Sequence, residues 1–236
     1  MTIIASPACD RAALKRIAAR AAVAEVADGM TIGLGTGSTA SFAIEALGER
    51  VACGMHITTV ASSLRTAAAA AKAGLTVVQF DALDQVDIGI DGADELDVGL
   101  RAIKGGGGAL LREKIVAAAA LRMIAVVDDS KLVARLGAHL LPVEVLPFAV
   151  GFVTRRITDL GLSATLRLAG ASPFHTDQAN AVLDCGVDAC DDFDRLAAEF
   201  SAIPGLLGHG LFLDEFDIAY VGSAEGVRCL TRGGQT

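Results

Sequence analysis

The stretch Thr31-Ile-Gly-Leu-Gly-Thr-Gly-Ser-Thr39 decides how this chain is organised. Its first four residues are a short apolar run, which predicts a buried strand. The glycine-rich part from Gly35 onward predicts a tight turn, after which Ser38 or Thr39 can cap a helix that runs to about Leu47. A strand that leads through a turn into a helix is the repeating unit of a parallel α/β sheet.

The same alternation continues on both sides of this stretch. An alanine-rich helix capped by Asp10 is expected before it, and a helix capped by Ser62 or Ser63 is expected after it, ending near Gly74. Another helix is expected around Glu113. Further short apolar strands are expected at residues 56–60, 76–78, 86–90 and 123–127. This pattern predicts a mostly parallel sheet flanked by helices, the α/β class.

The pattern changes after Lys131. Residues 141–147 carry prolines at both ends and are interpreted as an extended connector. The β-rich piece that follows predicts a small α+β subdomain. Helices are expected at residues 149–160 and 191–201, and strands at residues 164–168 and 181–184. The last strands, which can belong to either part, are expected at residues 210–213, 218–221 and 227–230.

Composition limits the class of protein and its partners. The chain has 236 residues, 53% hydrophobic and 20% charged, which is enough apolar material for a sizeable core and excludes a disordered chain. A net charge of −8 argues against a nucleic-acid-binding surface. The apolar run from Ile115 to Leu121 stops well short of the roughly 18–20 residues that span a bilayer. No basic segment precedes the N-terminal apolar stretch as in a signal peptide, so a cytoplasmic protein without a membrane partner is expected.

Cysteine and histidine spacing gives no sign of a metal site. The five cysteines, at positions 9, 53, 185, 190 and 229, include no Cys-x-x-Cys pair and are expected to be small buried residues in a reducing compartment. The four histidines lack the His-x-x-x-His and His-Glu-x-x-His spacings. No metal site is therefore expected.

The first candidate site is a phosphate site at the turn from Gly33 to Thr39. Backbone N–H groups at a helix N-terminus bind anions, and Ser38 and Thr39 add hydroxyl donors. The turn is not a P-loop, since no Gly-Lys-Ser/Thr follows, and it is a poor dinucleotide fingerprint, since Ser38 holds the third glycine position. An ordinary turn with a capped helix remains the alternative.

The second candidate is the acidic loop Asp91-Gly-Ala-Asp-Glu95, directly after the strand expected at residues 86–90. Open α/β sheets bind ligands at the carboxyl ends of parallel strands, and crowded carboxylates can raise one another's pKa. The loop therefore suits general acid–base catalysis or the binding of hydroxyl groups. A carboxylate-bound cation and a solvated acidic turn are the alternatives, although nearby Lys104 argues against the cation.

The third candidate is Lys104-Gly-Gly-Gly-Gly-Ala-Leu-Leu-Arg-Glu-Lys114, which carries a cation, four glycines and the carboxylate of Glu113. Four glycines start a helix poorly, but they bring backbone N–H groups against a small polar ligand. The alternative is that residues 112–114 form a solvated charged face. Lys131, after the strand expected at residues 123–127, adds a cation at the same edge, with an ordinary capped turn as its alternative.

Together these segments suit proton transfer next to a carbonyl group in a small, phosphorylated, hydroxyl-rich substrate. A carboxylate would remove the proton, while lysine and backbone N–H groups would hold the negative oxygen of an enediolate. No Cys–His pair, nucleophilic serine or metal motif accompanies them.

The chain resembles the type A ribose-5-phosphate isomerases from about Leu14 to Leu230. The matching segments are Gly35–Thr39, Asp91–Glu95, Lys104–Gly107, Arg112–Lys114, Asp129–Lys131 and Leu141–Val145. The resemblance implies interconversion of D-ribose 5-phosphate and D-ribulose 5-phosphate through a cis-enediolate in the non-oxidative pentose phosphate pathway. It also implies a sugar phosphate as partner, with no cofactor and no metal.

The resemblance also implies roles for individual residues. Glu113 matches the catalytic base that moves a proton between C1 and C2 of the sugar. Asp91 and Asp94 match the catalytic loop that holds hydroxyl groups and assists ring opening, and Lys104 matches the group that stabilises the enediolate. The implied substrate-binding residues are Lys15, Thr36, Gly37, Ser38, Thr39, Asp91, Gly92, Ala93, Asp94, Lys104, Gly105, Gly106, Gly107 and Lys131.

The implied fold is a Rossmann-like catalytic domain of residues 1–136 and 210–236 with an α+β subdomain of residues 137–209, assembled as a homodimer or homotetramer. Leu111 stands where the family commonly has threonine, and residues 171–190 match the family poorly. The alternatives are a coenzyme A transferase or sugar-phosphate deaminase of the same broad fold, or a sugar-phosphate-binding protein without activity.

Overall fold

The structure is a computed structural model that describes residues 10–232 and 234–235. Within them the helices are α1 Arg11–Val23, α2 Ser38–Ala52, α3 Leu64–Lys72, α4 Leu110–Ala119, α5 Val150–Asp159 and α6 Phe193–Ser201. The strands are β1 Thr31–Leu34, β2 Thr58–Ala61, β3 Thr76–Val77, β4 Val86–Asp91, β5 Glu95–Leu96, β6 Ala102–Ile103, β7 Ala120–Asp128, β8 Leu141–Val145, β9 Ser163–Leu166, β10 Leu168–Ala169, β11 Ser172–Pro173, β12 Ala181–Gly186, β13 Leu206–His209, β14 Leu211–Phe212, β15 Ile218–Ser223, β16 Gly226–Thr231 and β17 Gly234–Gln235. None of these helices combines the length and hydropathy needed to cross a membrane.

An eight-stranded sheet, ordered β17-β16-β15-β7-β4-β1-β2-β3, forms the centre of the molecule. The strands from β15 to β3 pair in parallel, whereas β16 and β17 pair antiparallel. Both faces of this sheet are covered, because successive residues of β7 point to opposite faces and both sets are buried. Ile124 and Val126 lie in the apolar core with α1 and α2, whereas Ala125 and Val127 lie in a second core with Phe212. The predicted α/β class is confirmed.

Side-chain caps fix where two of the predicted helices begin. Asp10 Oδ1 accepts a hydrogen bond from the N–H of Ala12 at 3.0 Å, and Ser63 Oγ accepts one from the N–H of Thr66 at 3.1 Å. Each bond satisfies a backbone donor that a helix leaves free in its first turn. Both predicted caps are therefore confirmed.

The start of α2 differs from its prediction. The helix begins at Ser38, its N-cap is Gly37, and no side chain caps it. Gly37 has a φ of +113°, a backbone conformation that glycine adopts without strain. The predicted capping by Ser38 or Thr39 is therefore wrong, because the glycine makes the turn by backbone geometry and leaves both hydroxyl groups for other contacts.

A second, antiparallel sheet, ordered β13-β8-β12-β9, packs against α5 and α6. It confirms the smaller α+β part of the predicted fold. The interpretation of residues 141–147 as a connector is wrong, since Leu141–Val145 is a fully buried strand in the interior of this sheet. The extended conformation that proline favours suits a strand as well as a connector, and the pairing partners that decide between them lie far along the chain.

The last strands belong to two different sheets. β15 and β16 join the large sheet, where Ile218 pairs with Ile124, whereas β14 pairs with β6 in a three-stranded sheet ordered β14-β6-β5. The predicted domain bounds, 1–136 with 210–236 and 137–209, stay a prediction.

The cysteines differ in exposure. Cys185 is buried, and burial raises the pKa of its thiol to about 12. Cys190 and Cys229 are half-buried, but Cys53 is exposed just after the end of α2, so the expectation of a buried residue is wrong there. Cys9 lies outside the described residues.

Candidate active site

The carboxyl ends of β1, β4 and β7 meet at one edge of the large sheet, because these strands are parallel neighbours. The turns that follow them surround a cavity of about 170 Å³. The cavity is lined by Lys15, Thr36, Gly37, Ser38, Thr39, Gly92, Ala93, Asp94, Lys104, Gly105, Gly106, Gly107, Glu113 and Lys131. Every predicted site residue except Asp91 is in this set, and Asp91 is buried against Lys104.

The three carboxylates of the acidic loop turn to three different partners. Asp91 pairs with Lys104, and Asp94 Oδ2 accepts a hydrogen bond from a backbone N–H of the glycine run at 2.8 Å. Glu95 is fully buried and accepts two backbone hydrogen bonds of 2.6 Å from residues 137–139. The carboxylates are thus spread apart, and among the described residues no group of three or more His, Cys, Asp or Glu side chains is arranged to hold a metal ion.

A buried ammonium group at the cavity wall pairs with two buried carboxylates. Lys104 Nζ lies 2.7 Å from Asp91 Oδ2 and 3.6 Å from Glu113 Oε2, and it donates to the carbonyl oxygen of Gly92 at 2.5 Å. Glu113 is 3% exposed, and its Oε2 makes no hydrogen bond with the described part of the chain. A buried carboxylate oxygen without a hydrogen-bond donor, next to a cavity, is available to take a proton from a ligand.

Burial governs the ionisation of this group. It raises the pKa of Glu113 to about 8, an effect that Lys104 opposes and that Asp91 and Asp94 increase. Burial also raises the pKa of Asp91, but Lys104 and two backbone N–H groups donate to that carboxylate. Burial alone would lower the pKa of Lys104, yet the two carboxylates raise it. One ammonium cannot neutralise both acids, so the pKa of Glu113, which has the fewest donors, stays above that of a free glutamate.

Glycine is required where the backbone approaches this group. Gly105 and Gly108 have φ values of +97° and +77°, which glycine tolerates best. A Cβ atom at Gly35 would lie 1.9 Å from the carboxylate of Asp91, so a larger residue does not fit there. Within the described residues the N–H of Gly107 has no acceptor, and it lies at the cavity wall. The glycine run thus presents backbone donors to a ligand.

A second part of the cavity wall carries two lysines and the N-terminus of α2. Lys15 Nζ donates to Ser38 Oγ at 3.1 Å and lies 3.6 Å from Asp128 Oδ2. Lys131 ends the short 3-10 turn Asp129–Lys131 that follows β7. Two ammonium groups next to the positive end of a helix dipole make this part of the cavity suited to binding an anion.

Thr36 lines the cavity, but its polar groups are bonded within the protein. Its N–H donates to Asp91 Oδ1 at 3.2 Å, and its hydroxyl lies 2.9 Å from Ser62 Oγ and donates to Ser63 Oγ at 2.9 Å. Thr66 Oγ1 donates to the carbonyl oxygen of Gly35 at 2.9 Å and extends this hydroxyl network. The sequence predicted only helix capping for Ser62 and Ser63, and the hydroxyl network that holds the turn at Gly35 and Thr36 was missed.

Leu111, in the first turn of α4, packs away from the cavity. A Cβ atom at Gly208 of β13 would lie 3.0 Å from Leu111 Cδ1, which shows how closely the side chain approaches that strand. Leucine therefore fills a packing position between α4 and the small sheet.

The combination of an acceptor carboxylate, an ammonium group, backbone donors and an anion-binding turn defines a class, a site for proton transfer on a small anionic substrate. Sequence comparison then identifies the family. A family model described as Ribose 5-phosphate isomerase A (phosphoriboisomerase A) matches residues 58–226. The chain belongs to the ribose 5-phosphate isomerase A family.

Relatives match nearly the whole chain. The ribose-5-phosphate isomerase A of Sphingopyxis alaskensis is 51% identical over 219 residues, which cover 93% of this chain and 96% of the relative. A crystal structure of ribose 5 phosphate isomerase A from Neisseria gonorrhoeae has a TM-score of 0.89 at 36% identity and covers 95% of this chain and 98% of its own. A D-ribose-5-phosphate isomerase solved in complex with phospho-erythronic acid has a TM-score of 0.90 at 36% identity, with coverages of 93% and 98%.

Proposed function

We propose that the protein interconverts D-ribose 5-phosphate and D-ribulose 5-phosphate through a cis-enediolate. The observation that carries this proposal is the buried carboxylate of Glu113, whose Oε2 lacks a donor at the cavity wall and lies 3.6 Å from Lys104. Relatives that cover nearly the whole chain are named ribose-5-phosphate isomerase A, which argues against the coenzyme A transferase and sugar-phosphate-binding alternatives.

The phosphate of the substrate is proposed to bind at the N-terminus of α2. Ser38 and Thr39 line the cavity there, and Lys15 and Lys131 supply the positive charge. Phosphate favours this setting because a helix N-terminus offers free N–H groups and the lysines add charge-assisted hydrogen bonds. The sugar then extends along residues 92–94 towards Lys104.

Two carboxylates are proposed to prepare the sugar. Asp94 lines the cavity and is placed to bind hydroxyl groups and assist ring opening. Asp91 does not line the cavity of the free protein, where it forms an ion pair of 2.7 Å with Lys104. Asp91 therefore acts chiefly by orienting the side chain of Lys104 and by keeping its amino group protonated.

Proton transfer follows on the open-chain sugar. Ionised Glu113 removes the proton from C2, and the electron pair moves through the new C1–C2 double bond onto O1. Lys104 and the N–H of Gly107 stabilise that negative oxygen, since the N–H of Gly106 already donates to Asp94. The effect of such donors is large in a water-poor site. The carboxylic acid of Glu113 returns the proton to C1 while the hydroxyl proton passes from O2 to O1, which gives the ketose.

An isomerisation assay tests the proposal. The purified protein is mixed with D-ribose 5-phosphate, with and without a metal chelator, and ketose formation is followed. We expect equal rates in both samples. A protein that binds the sugar phosphate without forming ketose contradicts the isomerase function, and loss of activity with the chelator contradicts catalysis without a metal.

We further propose a homodimer or homotetramer that acts in the non-oxidative pentose phosphate pathway of the cytoplasm, with neither nucleic acid nor membrane as partner. The net charge of −8 disfavours nucleic acid. Exposed apolar side chains beside the small sheet favour an oligomer, since Phe148 is 96% and Phe152 49% exposed. Light scattering that gives the single-chain mass of 24.1 kDa contradicts the oligomer.

A further inference from the structure

Arg167 connects the small sheet to the glycine run of the active site. It lies between β9 and β10, outside every segment that carries the family resemblance. Its Nη1 donates to the carbonyl oxygens of Gly105 and Gly106 at 3.2 and 3.1 Å. Arg167 does not line the cavity, so it contacts the backbone of the site from behind.

The guanidinium group of Arg167 is held rigidly. Its Nε donates to Asp184 Oδ2 at 2.9 Å, and its Nη2 donates to the other oxygen of the same carboxylate. The side chains of Arg167 and Asp184 are 16% and 19% exposed, and the guanidinium lies 5.7 Å from the ring centre of Phe174. A bidentate ion pair of this kind fixes the orientation of the guanidinium group as well as its position.

Phe174 makes a second contact between the small sheet and the glycine run. A Cβ atom at Gly108 would lie 2.4 Å from Phe174 Cζ, so the ring packs directly on the glycine backbone. The segment after Phe174 is anchored by buried Glu144, whose Oε1 accepts hydrogen bonds from Thr176 and Asn180 at 2.8 Å each. The glycine run therefore rests on a fixed surface.

The two carbonyl groups that Arg167 contacts belong to the peptide units that matter for catalysis. The carbonyl of Gly105 shares its peptide with the N–H of Gly106, and the carbonyl of Gly106 shares its peptide with the N–H of Gly107. A cation bonded to a carbonyl oxygen polarises the peptide and strengthens its N–H as a donor. The N–H of Gly106 donates to Asp94, which leaves that of Gly107, without an acceptor in the described chain, for substrate.

We propose that Arg167 is a positioning residue for the reaction, which fixes and polarises the peptide groups of the glycine run that stabilise the enediolate oxygen. Asp184 and Phe174 hold Arg167 in place for this task. The proposal rests on the proposed isomerase function and adds to it a residue from the small sheet.

Arg167→Met tests the proposal, because it removes the guanidinium and keeps an unbranched side chain. We expect kcat for ribose 5-phosphate to fall on the order of 10²-fold, the usual effect of losing precise placement of an oxyanion donor. Affinity for phospho-erythronic acid, whose carboxylate carries negative charge as the enediolate does, should fall in parallel. Affinity for inorganic phosphate should stay the same, since Lys15, Ser38 and Lys131 are untouched. Arg167→Lys keeps a positive charge but not the planar guanidinium group, so its kcat and its affinity for phospho-erythronic acid should lie between those of the wild type and Arg167→Met.

Arg155→Met is the matched control, because Arg155 is exposed on α5 and pairs only loosely with Asp159 at 4.0 Å. It should match the wild type in all three measurements. The proposal is overturned if Arg167→Met behaves like the control, or if it loses phosphate and phospho-erythronic acid affinity by the same factor, which indicates general damage. A wild type that binds phospho-erythronic acid but does not isomerise the sugar contradicts the proposed function. In that case the affinities of the variants for phospho-erythronic acid and phosphate still test whether Arg167 positions the glycine run.

Discussion

Glu113 shows how the fold changes the chemistry of one side chain. A free glutamate has a pKa near 4.5, but burial raises that of Glu113 to about 8. Lys104 limits the shift without cancelling it, because the same ammonium group also pairs with Asp91. We propose that this carboxylate is basic enough to accept a proton from carbon, and that the nearby cation stabilises the negative charge of the enediolate.

The pKa of Glu113 predicts the pH dependence of the wild type. The base must be ionised to accept a proton, so kcat/KM should rise with pH and level off above about 8. This ratio reports the ionisation of the free enzyme, and initial rates across the range therefore measure it. A flat profile between pH 6 and pH 8 contradicts the raised pKa.

Lys131→Met tests the anion-binding part of the cavity. The loss of one charge-assisted hydrogen bond to phosphate should lower kcat/KM by roughly 10–100-fold, mainly through a higher KM. Steady-state kinetics measure it, with Lys72→Met as the control because Lys72 is exposed at the end of α3. Equal KM values for the two variants contradict a phosphate contact at Lys131.

At the scale of elements, the turns after β1, β4 and β7 supply the cavity wall, and close packing between them sets its shape. Gly35 of the first turn lies directly against Asp91 of the second. The glycine run before α4 meets Asp94 through the N–H of Gly106. Each turn therefore depends on its neighbour, and a small change in one displaces catalytic groups of another.

Gly35→Ala measures this dependence. The added Cβ would lie 1.9 Å from the Asp91 carboxylate, so Asp91 and Lys104 must move and activity should fall on the order of 10²-fold with lower stability. The control is Gly151→Ala in α5, where a Cβ meets nothing within 4 Å. Activity and thermal unfolding are compared, and a Gly35→Ala variant as active as Gly151→Ala contradicts the close approach.

Features that depend on neighbouring residues in the sequence were predicted well. The bounds of β1, the caps Asp10 and Ser63, and the glycine run next to Glu113 depend on neighbours in sequence, which a single sequence displays. Non-local pairing was harder to predict, since β8 was interpreted as a connector and β13 was not predicted. Arg167 escaped notice for the same reason, because its partners Gly105 and Asp184 are brought together by tertiary structure.

At the scale of the molecule, three sheets contribute to one site. The large sheet supplies the turns after β1, β4 and β7, and the three-stranded sheet carries β6, which leads into Lys104 and the glycine run. The small sheet supports the glycine run through Arg167 and Phe174. We propose that residues 1–136 and 210–236 form the catalytic domain and residues 137–209 the subdomain, as the sequence predicts. The separate apolar cores of the large sheet and of the small sheet with α5 and α6 support this division.

The buried carboxyl group of Glu113 should make the stability of the whole protein depend on pH. The unfolded chain releases the Glu113 proton near pH 4.5 and the folded protein near 8. Between these values the folded state binds more protons, so the free energy of unfolding falls as pH rises through the window. Glu113→Gln should reduce this fall, measured by urea unfolding at several pH values, whereas Glu199→Gln should not. Equal pH dependence in the wild type and Glu113→Gln contradicts the account.

The kcat/KM of Glu113→Gln as a function of pH tests the central claim most directly. Glutamine keeps the shape of the side chain but cannot accept the proton, so we predict a loss of about 10²–10⁴-fold and no rise in the residual activity towards pH 8. Glu199→Gln, in which a half-buried glutamate on α6 far from the site in sequence is changed, should keep the wild-type rate and profile. A Glu113→Gln variant that retains both the wild-type kcat/KM and its rise with pH would contradict the assignment of Glu113 as the base.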